Sequence, residues 1–267
     1  MTYPRYAVLF LLTSLASFYS HAHDFWIEAS SYDPLPADEV ALIWRVGVGF
    51  KGDSLPYITE WIDDFSIVTS TGRRPVQSIP GSDPVATLES SAATRLIGYQ
   101  GQRSFVELEP KKFNDYLRDE GMEFILKQRR DRGEADRAAP EYFVRCAKAL
   151  IKGDDADDSV FGEELGYTLE LIPQSDPYGL QPGGEMEFRL LYLGEPIEGL
   201  LVQAVSRKNP DVRTASRTDA DGRATLRFAD PSLYLVKAVH MVPLENDATA
   251  RWESFWASFT FELASRP

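Results

Sequence analysis

The sequence holds a single cysteine, three histidines and no long apolar run. One cysteine excludes an intrachain disulfide, so stability must come from a buried core. A membrane-spanning helix needs about 20 consecutive apolar residues, and no stretch reaches that length. Basic residues are also scarce, 28 against 41 acidic ones, which gives a net charge of −13. This balance argues against a nucleic-acid partner, because nucleic-acid binders need clustered lysine and arginine.

The motifs of several enzyme classes are missing as well. The sequence has no Gly-x-Ser-x-Gly elbow, no glycine-rich phosphate loop and no His-Glu-x-x-His zinc motif. A Ser-His-Asp set needs a histidine, and none is left over in the mature chain if His240 binds a metal ion. We therefore expect a binding protein rather than an enzyme.

What is present begins with a secretion signal at residues 1–22. Arg5 supplies the positive start, residues 7–18 form a short apolar segment, and Ser20-His21-Ala22 puts small residues at the two positions that signal peptidase inspects. Cleavage after Ala22 would remove His21 and make His23 the first residue of the mature chain. We expect a periplasmic or secreted protein with no membrane span after cleavage.

The first half of the mature chain is predicted to be mainly β. Short aromatic and branched runs are separated by prolines and glycines, which is typical of a sandwich. The runs cover residues 25–27, 40–48, 65–68, 94–99 and 104–108.

A two-helix insertion is predicted at about residues 111–152. Phe113, Tyr116 and Leu117 are spaced for one helix face, and Gly121 would end that helix. The charged stretch 127–136 is expected to be a loop. A second helix would begin at Pro140 and end at Gly153, with apolar residues at helical spacing (Phe143, Ala147, Leu150 and Ile151). Cys146 falls in this helix, where we expect a buried small apolar residue.

Residues 167–267 are predicted to form an immunoglobulin- or prealbumin-like β-sandwich. The turn Asp219-Ala220-Asp221-Gly222 favours a hairpin, and residues 255–263 alternate between apolar and polar. The predicted organisation is a signal peptide, an N-terminal β region with the helical insertion (23–166) and this sandwich.

Several of these segments together resemble a known family. They are His23-Asp24-Phe25-Trp26-Ile27-Glu28, residues 142–150, residues 173–180, residues 189–192, residues 218–223, Ala238-Val239-His240-Met241 and residues 252–262. In this order the chain resembles the DUF4198 family of bacterial exported proteins. That family is often described as similar to the periplasmic component of nickel and cobalt uptake systems, with an immunoglobulin-like C-terminal part. The resemblance implies a periplasmic address and a membrane transporter or receptor as partner.

A metal site is the sharpest functional hypothesis. As the mature N-terminal residue, His23 would offer both its α-amine and its ring Nδ1 to one ion. His240 is the one other histidine left in the mature sequence. Adding its ring would complete the three-nitrogen set called a histidine brace, which suits Cu(II) or Ni(II). Asp24, Glu28, Asp247 and Glu253 are candidate oxygen ligands or partners that orient an imidazole.

Two alternatives remain open at this level. The chain could be a binding module without metal, whose immunoglobulin-like part docks a membrane partner or a carbohydrate. It could also be a copper oxygenase, since histidine braces occur in such enzymes. For a shared site, ring nitrogens each about 2 Å from one ion must approach to about 3–4 Å of each other.

Overall fold

The computed structural model describes residues 23–154 and 159–264, so the predicted signal peptide lies outside the described residues. Within these ranges the chain forms seventeen strands, two α-helices and three short 3-10 turns. The strands are β1 (Asp24–Ala29), β2 (Glu39–Val48), β3 (Lys51–Leu55), β4 (Ile62–Thr69), β5 (Gly72–Pro75), β6 (Ala86–Glu89), β7 (Arg95–Gly101), β8 (Ser104–Leu108), β9 (Ala139–Ile151), β10 (Leu169–Pro173), β11 (Gly184–Tyr192), β12 (Glu195–Pro196), β13 (Leu201–Ser206), β14 (Arg213–Arg217), β15 (Arg223–Phe228), β16 (Ser232–Pro243) and β17 (Trp252–Leu263). The helices are α1 (Pro110–Asp119) and α2 (Glu123–Asp131).

A nine-stranded sheet, which we call the central sheet, forms the middle layer of the molecule. Its order is β14-β13-β16-β17-β9-β7-β4-β5, and β8 pairs with the first half of β9. The pairing of β17 with β9 is parallel, whereas the other pairs in this sheet are antiparallel. The long strands β9, β16 and β17 therefore form the spine on which the other layers pack.

Two smaller sheets cover the central sheet. The N-terminal sheet consists of β1, β2, β3 and β6, with β1 on one edge of β2 and the other two strands on its other edge. The C-terminal sheet consists of β10, β11, β12 and β15. Both sheets are antiparallel.

Strand alternation sends the side chains of the central sheet into separate cores. One face packs against the C-terminal sheet and includes Phe255, Ala257, Phe259, Phe261 and Leu263 of β17. The opposite face packs against the N-terminal sheet along one part and against the two helices along another. The mainly β, sandwich-like fold predicted from the sequence is thereby confirmed.

The second predicted helix is wrong, because residues 139–151 form strand β9. This strand is covered on both faces, and apolar residues therefore occupy both sets of alternating positions. An uninterrupted apolar run of this kind also satisfies the spacing of a helix, which is how the pattern misled the interpretation.

The second helix lies earlier, partly in the charged stretch expected to be a loop. Helix α2 buries Ile125, Leu126 and Arg129, and its exposed side carries the ion pair between Lys127 and Asp131. These two charged residues are four positions apart, as is typical of an ion pair on the solvated face of a helix. The first helix is confirmed, and Gly121, with a φ of 69°, follows its end at Glu120.

The predicted hairpin at Asp219–Gly222 is also wrong in one respect. A tight turn does form, with the Gly222 amide donating to the Asp219 carbonyl oxygen at 3.0 Å. However, the flanking strands β14 and β15 belong to different sheets. The turn therefore links two layers rather than two neighbouring strands.

The halves on either side of residues 166/167 share the central sheet. Strand β17 pairs with β9 over nine residue pairs, from Trp252 and Glu141 to Thr260 and Ala149. The predicted C-terminal sandwich is thus completed by strands from the N-terminal half. No helix among the described residues is long and apolar enough to cross a membrane.

Candidate metal-binding residues and buried polar groups

His23 lies beside a groove of about 480 Å³ at one end of the molecule. Three segments form the walls: the start of β1, the β2–β3 hairpin, and the connection between β13 and β14. Charged residues from two of these segments line the groove beside His23, namely Lys51, Asp53, Asp211 and Arg213. His23 therefore has carboxylates in its groove but also two basic side chains.

A glycine pair in the β2–β3 hairpin lines the groove. Gly47 and Gly52 are opposite each other in the β2–β3 hairpin. A Cβ on Gly47 would lie 2.0 Å from the Lys51 carbonyl oxygen, so no larger residue fits without moving the hairpin. Gly49 in the turn between these strands has a φ of 58°, a left-handed conformation that favours glycine.

The Asp24 carboxylate points to a buried lysine, so it is not free to bind a metal ion. Its Oδ1 lies 2.6 Å from Lys237 Nζ, which also lies 2.6 Å from Glu120 Oε1. All three side chains are buried. Burial alone would lower the pKa of Lys237, but the two carboxylates raise it above its ordinary value. Asp24 is therefore part of a buried ion cluster that joins β1, β16 and the end of α1.

His240 is in an aromatic setting on β16. Its ring makes an edge contact with Tyr192 at 4.6 Å between centroids and stacks against Phe255 at 6.4 Å. Burial lowers its pKa to about 4, so the ring is neutral at ordinary pH. Its Nδ1 is enclosed and has no hydrogen-bond partner.

The structure places His240 and the start of β1 on opposite faces of the central sheet. Lys237 and His240 are three residues apart on one strand, so their side chains point in opposite directions. Lys237 meets Asp24, the neighbour of His23, whereas His240 meets Tyr192 of the C-terminal sheet. The two histidines are not brought together, and the residues present do not fit a histidine brace.

The other predicted ligands are engaged elsewhere. Glu28 pairs with Arg45 and Arg207, and the Asp247 carboxylate accepts from the backbone amides of Thr249 and Ala250. Glu253 lies on the same face of β17 as Phe255, near His240, but Arg103 Nε lies 2.7 Å from its Oε1. Among residues 23–154 and 159–264, no group of three or more histidine, cysteine and carboxylate side chains is arranged to hold a metal ion.

Cys146 is buried, as the sequence predicted, although on a strand. Burial raises the pKa of its thiol to about 12, so a reactive thiolate is not formed at ordinary pH. Met241 points to the face opposite His240 and packs under the helices, as strand alternation requires. Trp26, Trp252 and Trp256 are buried in the interior.

Sequence reasoning missed two polar groups on β9, the buried Glu141 and the partly exposed Arg145, because this segment was interpreted as a helix. The Glu141 carboxylate accepts hydrogen bonds from Ser254 Oγ and from Tyr116 Oη, the latter at 3.4 Å. Arg145 lies four residues after Glu141 on the same strand, and its guanidinium lies between two aromatic rings. Strand alternation would have put both on the face toward the N-terminal sheet and the helices, had the strand been recognised.

Two comparisons with known proteins bear on this chain. A search of curated proteins finds no match to this chain. The family model described as "Domain of unknown function (DUF4198)" matches residues 20–242, a span that contains both histidines discussed above and most of the three layers. The chain therefore belongs to the DUF4198 family.

Proposed function

We propose that this protein is an exported metal-binding protein that takes up Cu(II) or Ni(II) through His23, without His240. The observation that supports the proposal is the position of His23 in a groove that Asp53 and Asp211 also line. After cleavage behind Ala22, the α-amine and ring Nδ1 of His23 would hold the ion, and a carboxylate would add an oxygen ligand. A chelate of this kind leaves other positions on the ion free for transfer to a transporter or receptor.

Proton competition sets the pH dependence of such a site. The α-amine has an ordinary pKa of about 7.7–8.0 and must be deprotonated to bind. Binding should therefore strengthen as the pH rises through this range. Lys51 and Arg213 line the same groove and repel a cation, so we expect a moderate affinity suited to exchange.

The role of the free amine can be tested by changing only the start of the chain. We compare the protein that begins at His23 with the same protein acetylated on its α-amine, using calorimetric titration with Cu(II). Acetylation converts the amine into an amide, so affinity should fall by roughly tenfold or more. Equal affinities for the two proteins would contradict a chelate built on the mature N-terminus.

A binding module without metal is the second candidate. The separation of His23 and His240 by the central sheet favours it over any site that needs both rings. If neither protein above binds Cu(II) or Ni(II), and purified mature protein carries no metal, this candidate replaces the first. The copper oxygenase alternative needs both rings on one ion, and the arrangement gives it no support. Peroxide production by the copper-loaded protein with a reductant would argue for it.

A further inference from the structure

Among the described arginines and lysines that are at least partly buried, Arg145 is the one without an oxygen partner. The other arginines and lysines of the described ranges that are not exposed each lie against an oxygen acceptor, and they are Arg45, Arg95, Arg129, Lys148, Lys152, Arg189 and Lys237. Even Arg95 and Arg129, which lack carboxylate partners, donate to backbone carbonyls. In a protein with 41 acidic residues, a cation left without an oxygen partner is unexpected.

Two aromatic rings from different layers flank the guanidinium of Arg145. Its central carbon lies 4.8 Å from the ring centroid of Phe143 on β9 and 5.7 Å from that of Phe25 on β1. Trp256 is its neighbour on β17 in the parallel register. Contacts of this kind cover the faces of a guanidinium, but they do not satisfy the N–H donors at its edge.

The donors of Arg145 can still be reached. The side chain is partly exposed, and none of its nitrogen atoms is among the fully enclosed polar atoms that lack partners. Burial lowers the pKa of Arg145 to about 10, so the group stays positively charged at neutral pH. The result is a desolvated cation with accessible donors and apolar walls.

We propose that Arg145 forms a binding site for a small organic carboxylate with a flat apolar body. The guanidinium fork pairs with a carboxylate through two parallel hydrogen bonds, and such pairs are strong where water is partly excluded. The partly exposed ring of Phe143 offers apolar surface to the body of the same ligand, while the buried ring of Phe25 covers the inner side of the guanidinium. This site is separate from the His23 groove and does not depend on metal binding.

The test is a calorimetric titration of the full mature protein with sodium benzoate as the probe, alongside acetate and inorganic phosphate. Benzoate should bind saturably, and roughly tenfold more tightly than acetate because of the ring walls. Arg145→Met should weaken benzoate binding by about tenfold or more, and Arg145→Lys should weaken it less. Thermal unfolding of each variant establishes that it is folded before titration.

Arg103→Met is the matched control. Arg103 also lies over an aromatic ring, 3.8 Å from the centroid of Tyr142, but it is exposed and paired with Glu253. Its substitution should leave benzoate affinity within about twofold of the unmodified protein. The proposal is overturned if benzoate shows no saturable binding, if acetate or phosphate binds as tightly as benzoate, or if Arg103→Met weakens binding as much as Arg145→Met.

Discussion

Glu141 shows how a single buried residue can set the pH dependence of stability. No described cation pairs with its carboxylate, its hydrogen bonds come from Ser254 and Tyr116, and its Oε2 has no partner. Trp256 Nε1 donates to the Ser254 hydroxyl at 2.9 Å, which extends the network under the helices. Burial raises the pKa of Glu141 to about 7, so the folded protein holds a proton there more tightly than the unfolded chain does.

We predict that Glu141 favours folding in mild acid and that this contribution is lost as the pH rises. The contribution is fully present below the ordinary pKa near 4.5 and disappears through about pH 7. Its size is roughly 3 kcal/mol, from 1.36 kcal/mol per pKa unit. Urea titrations at pH 5 and pH 8 measure how much the free energy of unfolding changes between the two pH values. This change should be smaller for Glu141→Gln than for the unmodified protein. An exposed control, Glu107→Gln on β8, should retain the full difference in unfolding free energy between the two pH values. An unchanged difference in Glu141→Gln would refute the assignment.

Among the structural elements, β9 and α2 show what a sequence pattern can and cannot establish. The alternation in β17 identified its apolar face correctly, because that face packs on the C-terminal sheet. Strand β9 lies in the middle of the same sheet and is buried on both sides, so alternation was invisible there. Helix α2 was missed because its apolar side is narrow and its charges suggested a loop.

The sequence likewise identified some features of the candidate site and missed others. His23 and His240 could be singled out because histidines are so few, but no local pattern reveals that a sheet separates them. That fact depends on the long-range pairing of β1, β16 and the C-terminal sheet. Arg145 was missed for a related reason. Its surroundings come from β1, β9 and β17, so no local pattern shows that it lacks an oxygen partner.

Close packing of β7 against the 165–167 segment gives a prediction at this scale. A Cβ on Gly98 would lie 2.3 Å from Tyr167 Oη and 2.4 Å from Leu165 Cδ1. Tyr167 cannot move away freely, because its hydroxyl donates to Asp64 Oδ2 at 2.5 Å. Gly98→Ala should therefore lower the free energy of unfolding by about 1–3 kcal/mol in a urea titration.

Gly162→Ala is the control for this substitution, since its Cβ would lie 3.9 Å from the Pro173 carbonyl oxygen, at an ordinary van der Waals distance. Its effect should stay within about 0.5 kcal/mol. If Gly98→Ala proved equally harmless, the packing of this segment on β7 would be looser than described.

At the scale of the whole molecule, the central sheet joins both halves of the chain. The core under the C-terminal sheet includes Leu96, Val144 and Leu150 from β7 and β9. A fragment of residues 167–267 would lack these residues and would expose the edge of β17 that pairs with β9.

We predict that this fragment does not fold alone and that the full mature chain unfolds in one cooperative step. Circular dichroism and tryptophan fluorescence should report the same transition for the full chain. The fragment should lack a cooperative transition. A soluble fragment with its own sharp unfolding transition would show that residues 167–267 form an independent domain.

The central functional claim is that His23 binds metal without His240, and one comparison tests it most directly. Calorimetric titration of Cu(II) into mature His23→Ala and His240→Ala proteins separates the two residues. The account predicts that His23→Ala loses the site, whereas His240→Ala binds as the unmodified protein does. If His240→Ala lost as much affinity as His23→Ala, the two rings would share one ion and the arrangement described here would be contradicted.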